Sequence, residues 1–116
     1  MTNNLYFIVS ETGLIKIGVS ANPWSRLDQL QTGNPYRLAL RGVFEYEDAY
    51  GIERVMHTLL GEFRAVGEWF SVPRTILAHA HKIAHFAILC PAIYARWNRR
   101  FGRYCIWKLK AEGKSK

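Results

Sequence analysis

Two short runs of β-forming residues stand close together near the start of the chain, and they constrain the fold more than any other feature. The runs are LYFIVS, residues 5–10, and LIKIGVS, residues 14–20, and the connection between them contains Gly13. A short connection that contains glycine is typical of a β-hairpin. The sequence therefore predicts two antiparallel neighbouring strands, with Lys16 in the middle of the second.

Turn and cap signals divide the residues that follow the hairpin. Asn22 is suited to a helix cap and Pro23 to the first helical position, so a helix is expected over about 23–32. Residues 36–47 alternate between apolar and polar side chains. This alternation predicts a third strand with one solvated face and an irregularity at Gly42.

Two more helices are expected in the second half of the chain. Asp48 is suited to cap a helix that runs to about Arg64, and another helix begins near Pro73 and continues past Phe86. Three short strands cannot shield both faces of a sheet from water, so helices must cover it. The predicted fold is α+β: a small three-stranded antiparallel sheet flanked by helices, with a basic C-terminal extension.

The net charge of +7 belongs to the last third of the chain. Residues 1–83 hold equal numbers of basic and acidic side chains, whereas residues 84–116 hold a single acidic residue, Glu112. We therefore divide the chain into a domain, 1–83, and a basic aromatic extension, 84–116. Phosphate backbones and anionic membranes attract such a segment, although a solvated tail or an amphipathic element packed on the domain fits it too. The arginines expected to contact nucleic acid are Arg96, Arg99, Arg100 and Arg103.

Several classes of protein are disfavoured by the same sequence. Two cysteines without metal-ligand spacing make a disulfide framework improbable, and the N-terminus does not resemble a signal peptide. The most apolar window, residues 83–95, is too short to span a bilayer. We therefore expect a cytoplasmic protein that is not embedded in a membrane.

Polar residues of the hairpin and of the first helix are candidates for a shared site. In extended strands Tyr6 points away from Phe7, and Lys16 shares a face with Gly18. If the register places Tyr6 and Lys16 on one face, a phenol and an ammonium meet there. Arg26 could then reach over Gly18, which has no side chain.

A carboxylate and an imidazole face one place on the second helix. Glu53 and His57 are four residues apart, at the edge of that helix's apolar stripe. Each candidate taken alone also has an ordinary explanation, such as amphipathic packing of Tyr6 or edge protection by Lys16. The combination and its spacing indicate a functional site.

The set resembles the GIY-YIG nuclease domain, in the branch whose second tyrosine is replaced by lysine to give a KIG triplet. This is the type of the phage T5 open-reading-frame-172 DNA-binding domain and of the meiotically up-regulated gene 113 proteins. The resemblance covers residues 5–73. The motifs that carry it are LYFI with Tyr6, KIG at 16–18, NPxxRLxxLQTGNP at 22–35, ExxxH at 53–57 and GEWF at 67–70.

The resemblance implies hydrolysis of DNA phosphodiester bonds with one divalent metal ion, Mg²⁺ or Mn²⁺. Tyr6 would be the general base, with its pKa lowered by nearby Lys16. Arg26 would hold the phosphate and Glu53 the metal ion. His57 would assist the leaving oxygen or orient Glu53.

Two other functions stay open at this point. A DNA-binding module of the same fold would lack cleavage, and a membrane-surface protein would bind through its basic extension. In the GEWF element, Trp69 and Phe70 are expected in the core, and Glu68 is expected to pair with an arginine.

Overall fold

The computed structural model of the chain describes residues 3–92. These residues form an antiparallel sheet with three α-helices, so the predicted α+β class is confirmed. No helix within this range is long and apolar enough to cross a bilayer. In chain order the elements are β1 (Asn3–Ser10), β2 (Ile15–Ser20), α1 (Pro23–Gln31), β3 (Leu38–Tyr46), α2 (Ala49–Leu59), a 3₁₀ turn (Gly61–Phe63), β4 (Arg64–Val66), β5 (Trp69–Phe70) and α3 (Arg74–Leu89).

The predicted hairpin forms the centre of the sheet. Its strands β1 and β2 pair antiparallel, and the Ser10 N–H donates to the Leu14 carbonyl at 2.8 Å where the turn closes. Gly13 has φ of 92°, a backbone conformation that residues with a side chain rarely adopt. The strand β3 pairs with the other side of β1, so the three predicted strands are adjacent.

Within residues 3–92 the sheet has five strands rather than the predicted three, in the order β3-β1-β2-β5-β4. The helix α2, expected to reach Arg64, ends at Leu59, and the chain after the 3₁₀ turn becomes β4. Gly67, with φ of 55°, turns the chain back into β5, which pairs with β2. These strands contain three and two residues. They are too short for an alternating pattern to reveal them.

Each face of the sheet packs against different helices. Leu5, Phe7 and Ile17 point to the face covered by α2 and α3, where the larger part of the core lies. The alternate residues Tyr6 and Ile8 point to the opposite face, where side chains from α1 pack against them. Because successive side chains of a strand point to opposite faces, the hairpin contributes residues to the core on both faces of the sheet.

Local signals for the helices and for the strand irregularity are confirmed. The Asn22 side chain accepts from the Ser25 N–H at 3.2 Å and caps α1, and Asp48 caps α2 through the Gly51 N–H at 3.0 Å. The register of β3 shifts beside Gly42, where Phe7 pairs with Gly42 but Ile8 pairs with Leu40. A one-residue bulge therefore lies at Arg41.

The last helix runs across the division proposed from charge. Residue 83 lies inside α3, which continues to Leu89. The arginines predicted to contact nucleic acid, at 96, 99, 100 and 103, lie outside the described residues. The basic extension and its role stay predictions.

Candidate active site

Tyr6 and Gly18 face each other directly across the central hairpin. They are partners in the antiparallel register, and Ile8 and Lys16 form the next pair on the same face. A Cβ built on Gly18 would collide with the hydroxyl and the ring of Tyr6. The space that Gly18 provides is thus filled by the phenol of Tyr6, and not by Arg26 as predicted.

The phenol of Tyr6 is buried beside the guanidinium of Arg26. Tyr6 is 2% exposed, and this burial raises its pKa above the ordinary value. Hydrogen bonding and positive charge from Arg26 oppose the rise, whereas the negative charges of Glu68 and Glu53 add to it. At neutral pH, Tyr6 is therefore a protonated phenol.

Lys16 is engaged with a carboxylate rather than with the phenol. Its side chain is 8% exposed, and its Nζ lies 2.8 Å from Oε2 of Glu68. The ammonium also lies 5.7 Å from the centre of the Trp69 ring. The predictions that Lys16 lowers the pKa of Tyr6 and that Glu68 pairs with an arginine are both wrong. The reason is that β5, which the sequence did not reveal, brings Glu68 beside Lys16.

Within residues 3–92, strand pairing on one side of β2 ends at Lys16. The short strand β5 pairs with β2 at Ile15 and Lys16. At the next residue, the Ile17 N–H donates to the Glu68 carbonyl at 3.4 Å, and the Ile17 carbonyl accepts from Nε2 of His57 at 2.9 Å. We call this side of β2, from Ile17 to Ser20, the β2 edge.

The ring of His57 is fixed at the β2 edge. Since a carbonyl oxygen can only accept, Nε2 of His57 carries the proton in its bond with Ile17. The imidazole also packs against the ring of Phe70, with 5.1 Å between the ring centres. These contacts place the last turns of α2, and with them Glu53, beside the edge of the sheet.

Glu53 is half-buried beside several charged side chains. Burial raises the pKa of its carboxyl group above the ordinary value, and the charge of Glu68 adds to the rise. The charges of His57, Lys16 and Arg54 act in the opposite direction and offset the rise only in part. The loss of water around the carboxylate therefore makes its ionised form unfavourable.

Glu68 has the opposite balance. Burial by itself would raise its pKa, but the hydrogen bond and the charge of Lys16 outweigh burial and lower the pKa. His57 and Arg26 lower it further. The charges of Glu68 and Glu53 both raise the pKa of Tyr6, so these side chains lie near one another around the β2 edge although Tyr6 and Glu53 belong to opposite layers.

The comparison with protein families agrees with this geometry. The family model described as the T5orf172 domain matches residues 3–86, most of the chain. The chain belongs to the T5orf172 domain family. No curated protein and no solved structure matches it. The resemblance found in the sequence is confirmed at this level, since T5orf172 domains are related to GIY-YIG-like and DNA-binding proteins. The assignment to the KIG branch stays a prediction.

The described part of this T5orf172 domain has no ready-made metal cage. Within residues 3–92, no three His, Cys, Asp or Glu side chains are grouped so that they could hold an ion by themselves. Glu53 offers a single half-buried carboxylate whose pKa is raised mainly by burial. Mg²⁺ fits such a place, because it keeps several waters and takes further oxygens from a substrate.

Sequence reasoning missed one member of the site in this T5orf172 domain. Glu68 lies in the GEWF element, which was recognised, but its partner could not be read from local pattern. Lys16 and Glu68 are 52 residues apart in the chain. A lysine within an apolar strand was the available signal, because a buried ammonium requires a negative partner.

Proposed function

We propose that this chain is a metal-dependent DNA endonuclease that hydrolyses phosphodiester bonds at the β2 edge. One observation carries the proposal: a phenol and a carboxylate, both with raised pKa, lie around the same strand edge as the guanidinium of Arg26. Paired titratable groups in unusual environments are typical of sites that move protons. Family membership supports DNA as the substrate class.

Arg26 is the residue suited to bind the scissile phosphate. Its planar guanidinium can donate two parallel hydrogen bonds to phosphoryl oxygens. In the described structure it donates to Oε1 of Gln29 at 3.3 Å, a weak contact at an exposed position that a phosphate can replace. Arg26 thus places the phosphate next to Tyr6.

Glu53 is the residue suited to hold the metal ion. A bound Mg²⁺ or Mn²⁺ would supply positive charge to the phosphoryl oxygens, where negative charge gathers during hydrolysis. Lys16 occupies the carboxylate of Glu68 in an ion pair at 2.8 Å, whereas the charges of His57, Lys16 and Arg54 leave the pKa of Glu53 raised. The Lys16–Glu68 pair holds the loop before β5 against β2 and leaves Glu53 to the ion.

Tyr6 is the proposed general base. Its phenolate would take the proton from the attacking water, the water oxygen would bond to phosphorus, and the bond to the leaving oxygen would break in line. The buried phenol resists ionisation, and Arg26 favours it. The active fraction of a base with a raised pKa grows with pH, so cleavage should accelerate from pH 7 to pH 9.

His57 is proposed as a positioning residue. Its Nε2 proton is held by the Ile17 carbonyl, so this atom is not available to the leaving oxygen. The ring ties α2 to β2, and its positive charge lowers the pKa of Glu53. Both effects keep Glu53 ionised and in place.

A supercoiled-plasmid nicking assay with Mg²⁺ or Mn²⁺ tests the proposal. Glu53→Gln should reduce nicking by about 10²-fold or more, and Tyr6→Phe by a similar factor. Glu47→Gln is the matched control, because Glu47 is exposed and is not among the charges that shift the pKa of Glu53. Nicking by Glu53→Gln at the wild-type rate, in protein folded by circular dichroism, would refute the role of Glu53.

A non-catalytic DNA-binding module is the second candidate. The observation that favours it is the burial of Tyr6, which keeps the phenol protonated at neutral pH. In that case DNA would bind in a gel-shift assay with and without metal ion, and neither the wild type nor Glu53→Gln would nick the plasmid between pH 7 and pH 9.

A further inference from the structure

A second concave surface lies on the face of the sheet opposite Tyr6. A groove of about 510 Å³ opens between α3 and the edge strand β3, and we call it the β3 groove. Its floor is formed by side chains of the hairpin, among them Phe7, and its walls by Phe44 of β3 and His81 of α3. Pockets of this volume are large enough for small-molecule ligands.

Three aromatic rings form a continuous surface in the groove. The centre of the Phe44 ring lies 4.5 Å from that of His81, and the Phe7 ring lies 5.5 Å from each of them. The missing Cβ of Gly42 permits this arrangement, since a Cβ there would lie 2.9 Å from atoms of both phenyl rings. Phe44 is 37% exposed, so the aromatic surface is open to a ligand.

The bulge in β3 adds a cation to this surface. Ala39 and Gly42 both face α3, through their partners Val9 and Phe7, and Arg41 is the extra residue between them. A bulge of this kind redirects a side chain. Here the bulge brings Gly42 and Phe44 to the face that Arg41 shares with Ala39, so Arg41 and Phe44 line the groove together.

A second cation comes from the start of α3. Arg74 is the first residue of this helix and lines the groove. No side chain caps this end of α3 within the described residues, so the first-turn N–H groups add to its positive character. Among the described residues, the side chains that line the groove include two guanidiniums and no carboxylate. The charge of the groove therefore selects an anion.

His81 contributes a ring held in a fixed orientation. Its Nε2 lies 2.7 Å from the hydroxyl of Tyr46 in a hydrogen bond. Burial and the neighbouring charge of His85 lower the pKa of His81, so the imidazole is neutral at pH 7. A neutral ring offers a stacking surface and leaves recognition of the anion to the arginines.

We propose that the β3 groove binds one nucleotide unit, with its base against Phe44 and His81 and its phosphate held by Arg41 and Arg74. Every base has a π face that stacks on aromatic side chains, and guanidiniums bind phosphate oxygens in pairs. The unit is either a free nucleotide or an unstacked nucleotide of a DNA strand. This binding site is separate from the β2 edge and does not require cleavage.

Titration of the ¹⁵N-labelled full-length chain with thymidine 5′-monophosphate tests the proposal by NMR. The amide signals of Arg41, Phe44 and His81 should shift. Thymidine without phosphate and ribose 5-phosphate without a base should each bind at least about tenfold more weakly, because each lacks half of the recognised chemistry. An eight-residue oligothymidylate, titrated in parallel, distinguishes the two sources.

Variants separate the groove from general basicity. Arg41→Ala and Arg74→Ala should each weaken binding of the monophosphate about tenfold, the effect of one charge-assisted hydrogen bond. Arg37→Ala removes the same charge from an exposed arginine that does not line the groove, and it should bind as the wild type does.

Each outcome decides the proposal. Shifts of the groove amides by the monophosphate support a free nucleotide, and shifts by the oligonucleotide alone support a nucleotide within a strand. The proposal is overturned if neither ligand shifts these amides, if thymidine binds as tightly as its monophosphate, or if Arg37→Ala weakens binding as much as Arg41→Ala.

Discussion

The β2 edge and the β3 groove both contain cationic side chains, but the groups beside these cations differ. At the β2 edge, Lys16 and Arg26 lie among the carboxylates of Glu53 and Glu68, and pKa values shift in both directions. The described residues of the groove include two arginines beside aromatic rings, and none of them carries a carboxylate. Mixed charges tune proton affinity and hence suit chemistry, whereas unopposed cations on an aromatic surface suit binding. The two regions differ because the carboxylates of Glu53 and Glu68 lie beside the β2 edge.

The largest expected difference is in the plasmid-nicking rate, between an alanine substitution at the β2 edge and one in the β3 groove. Arg26→Ala should slow plasmid nicking about 100-fold, because a bidentate phosphate contact and the support of the Tyr6 phenolate are both lost. Arg41→Ala should leave the nicking rate at saturating plasmid within about threefold of wild type. Single-turnover rates with Mg²⁺ measure both. Equal losses in the two variants would mean that one continuous surface does the work of both sites.

Alanine substitution of Gly18 and of Gly42 should show that the face with Tyr6 tolerates an added methyl group less well than the face with the β3 groove. Gly18→Ala forces the buried Tyr6 ring to move and should lower the free energy of unfolding by about 1–3 kcal/mol. Gly42→Ala meets two rings, one of which, Phe44, is partly exposed and can turn outward, so its cost should stay below about 1 kcal/mol. Urea denaturation at pH 7 measures the pair. The reverse order would show that the groove is the rigid region.

The smallest expected effect is a change of under about 1 kcal/mol in the free energy of unfolding. Its dependence on pH should have opposite signs for the carboxylates of Glu53 and Glu68. The folded pKa of Glu53 is raised, so the stability it contributes is full below its ordinary pKa and lost as pH rises through the folded value. Glu53→Gln should therefore stabilise the metal-free protein at pH 7. The pKa of Glu68 is lowered, so Glu68→Gln should destabilise it at pH 7.

Both differences should shrink as the pH falls from 7 to 4, because the carboxyl groups take up protons, Glu53 at higher pH than Glu68. Urea denaturation at pH 4 and pH 7 in the presence of a chelator measures them, with Glu47→Gln as the control. Destabilisation by both substitutions at pH 7 would mean that Glu53 is held by a cation of the protein itself and is not free to bind a metal ion.

Most of the secondary structure could be predicted from the sequence because its signals are local. The hairpin around Gly13 and the caps at Asn22 and Asp48 depend on residues a few positions apart. The family resemblance was recognised for the same reason, since it rests on motifs in a fixed order. The same motifs contain the five candidate site residues, Tyr6, Lys16, Arg26, Glu53 and His57.

The contacts between the site residues could not be predicted from the sequence. They depend on the register of strand pairing and on β4 and β5, which are too short to show an alternating pattern. The sequence by itself determined that Lys16 sits in an apolar strand and therefore needs a counter-charge. Only the tertiary structure decided that Glu68 supplies it, that the Tyr6 phenol is buried against Gly18, and that the bulge puts Phe44 on the same face as Arg41. Long-range pairing and burial set these electrostatic properties, and neither is encoded in the neighbourhood of a single residue.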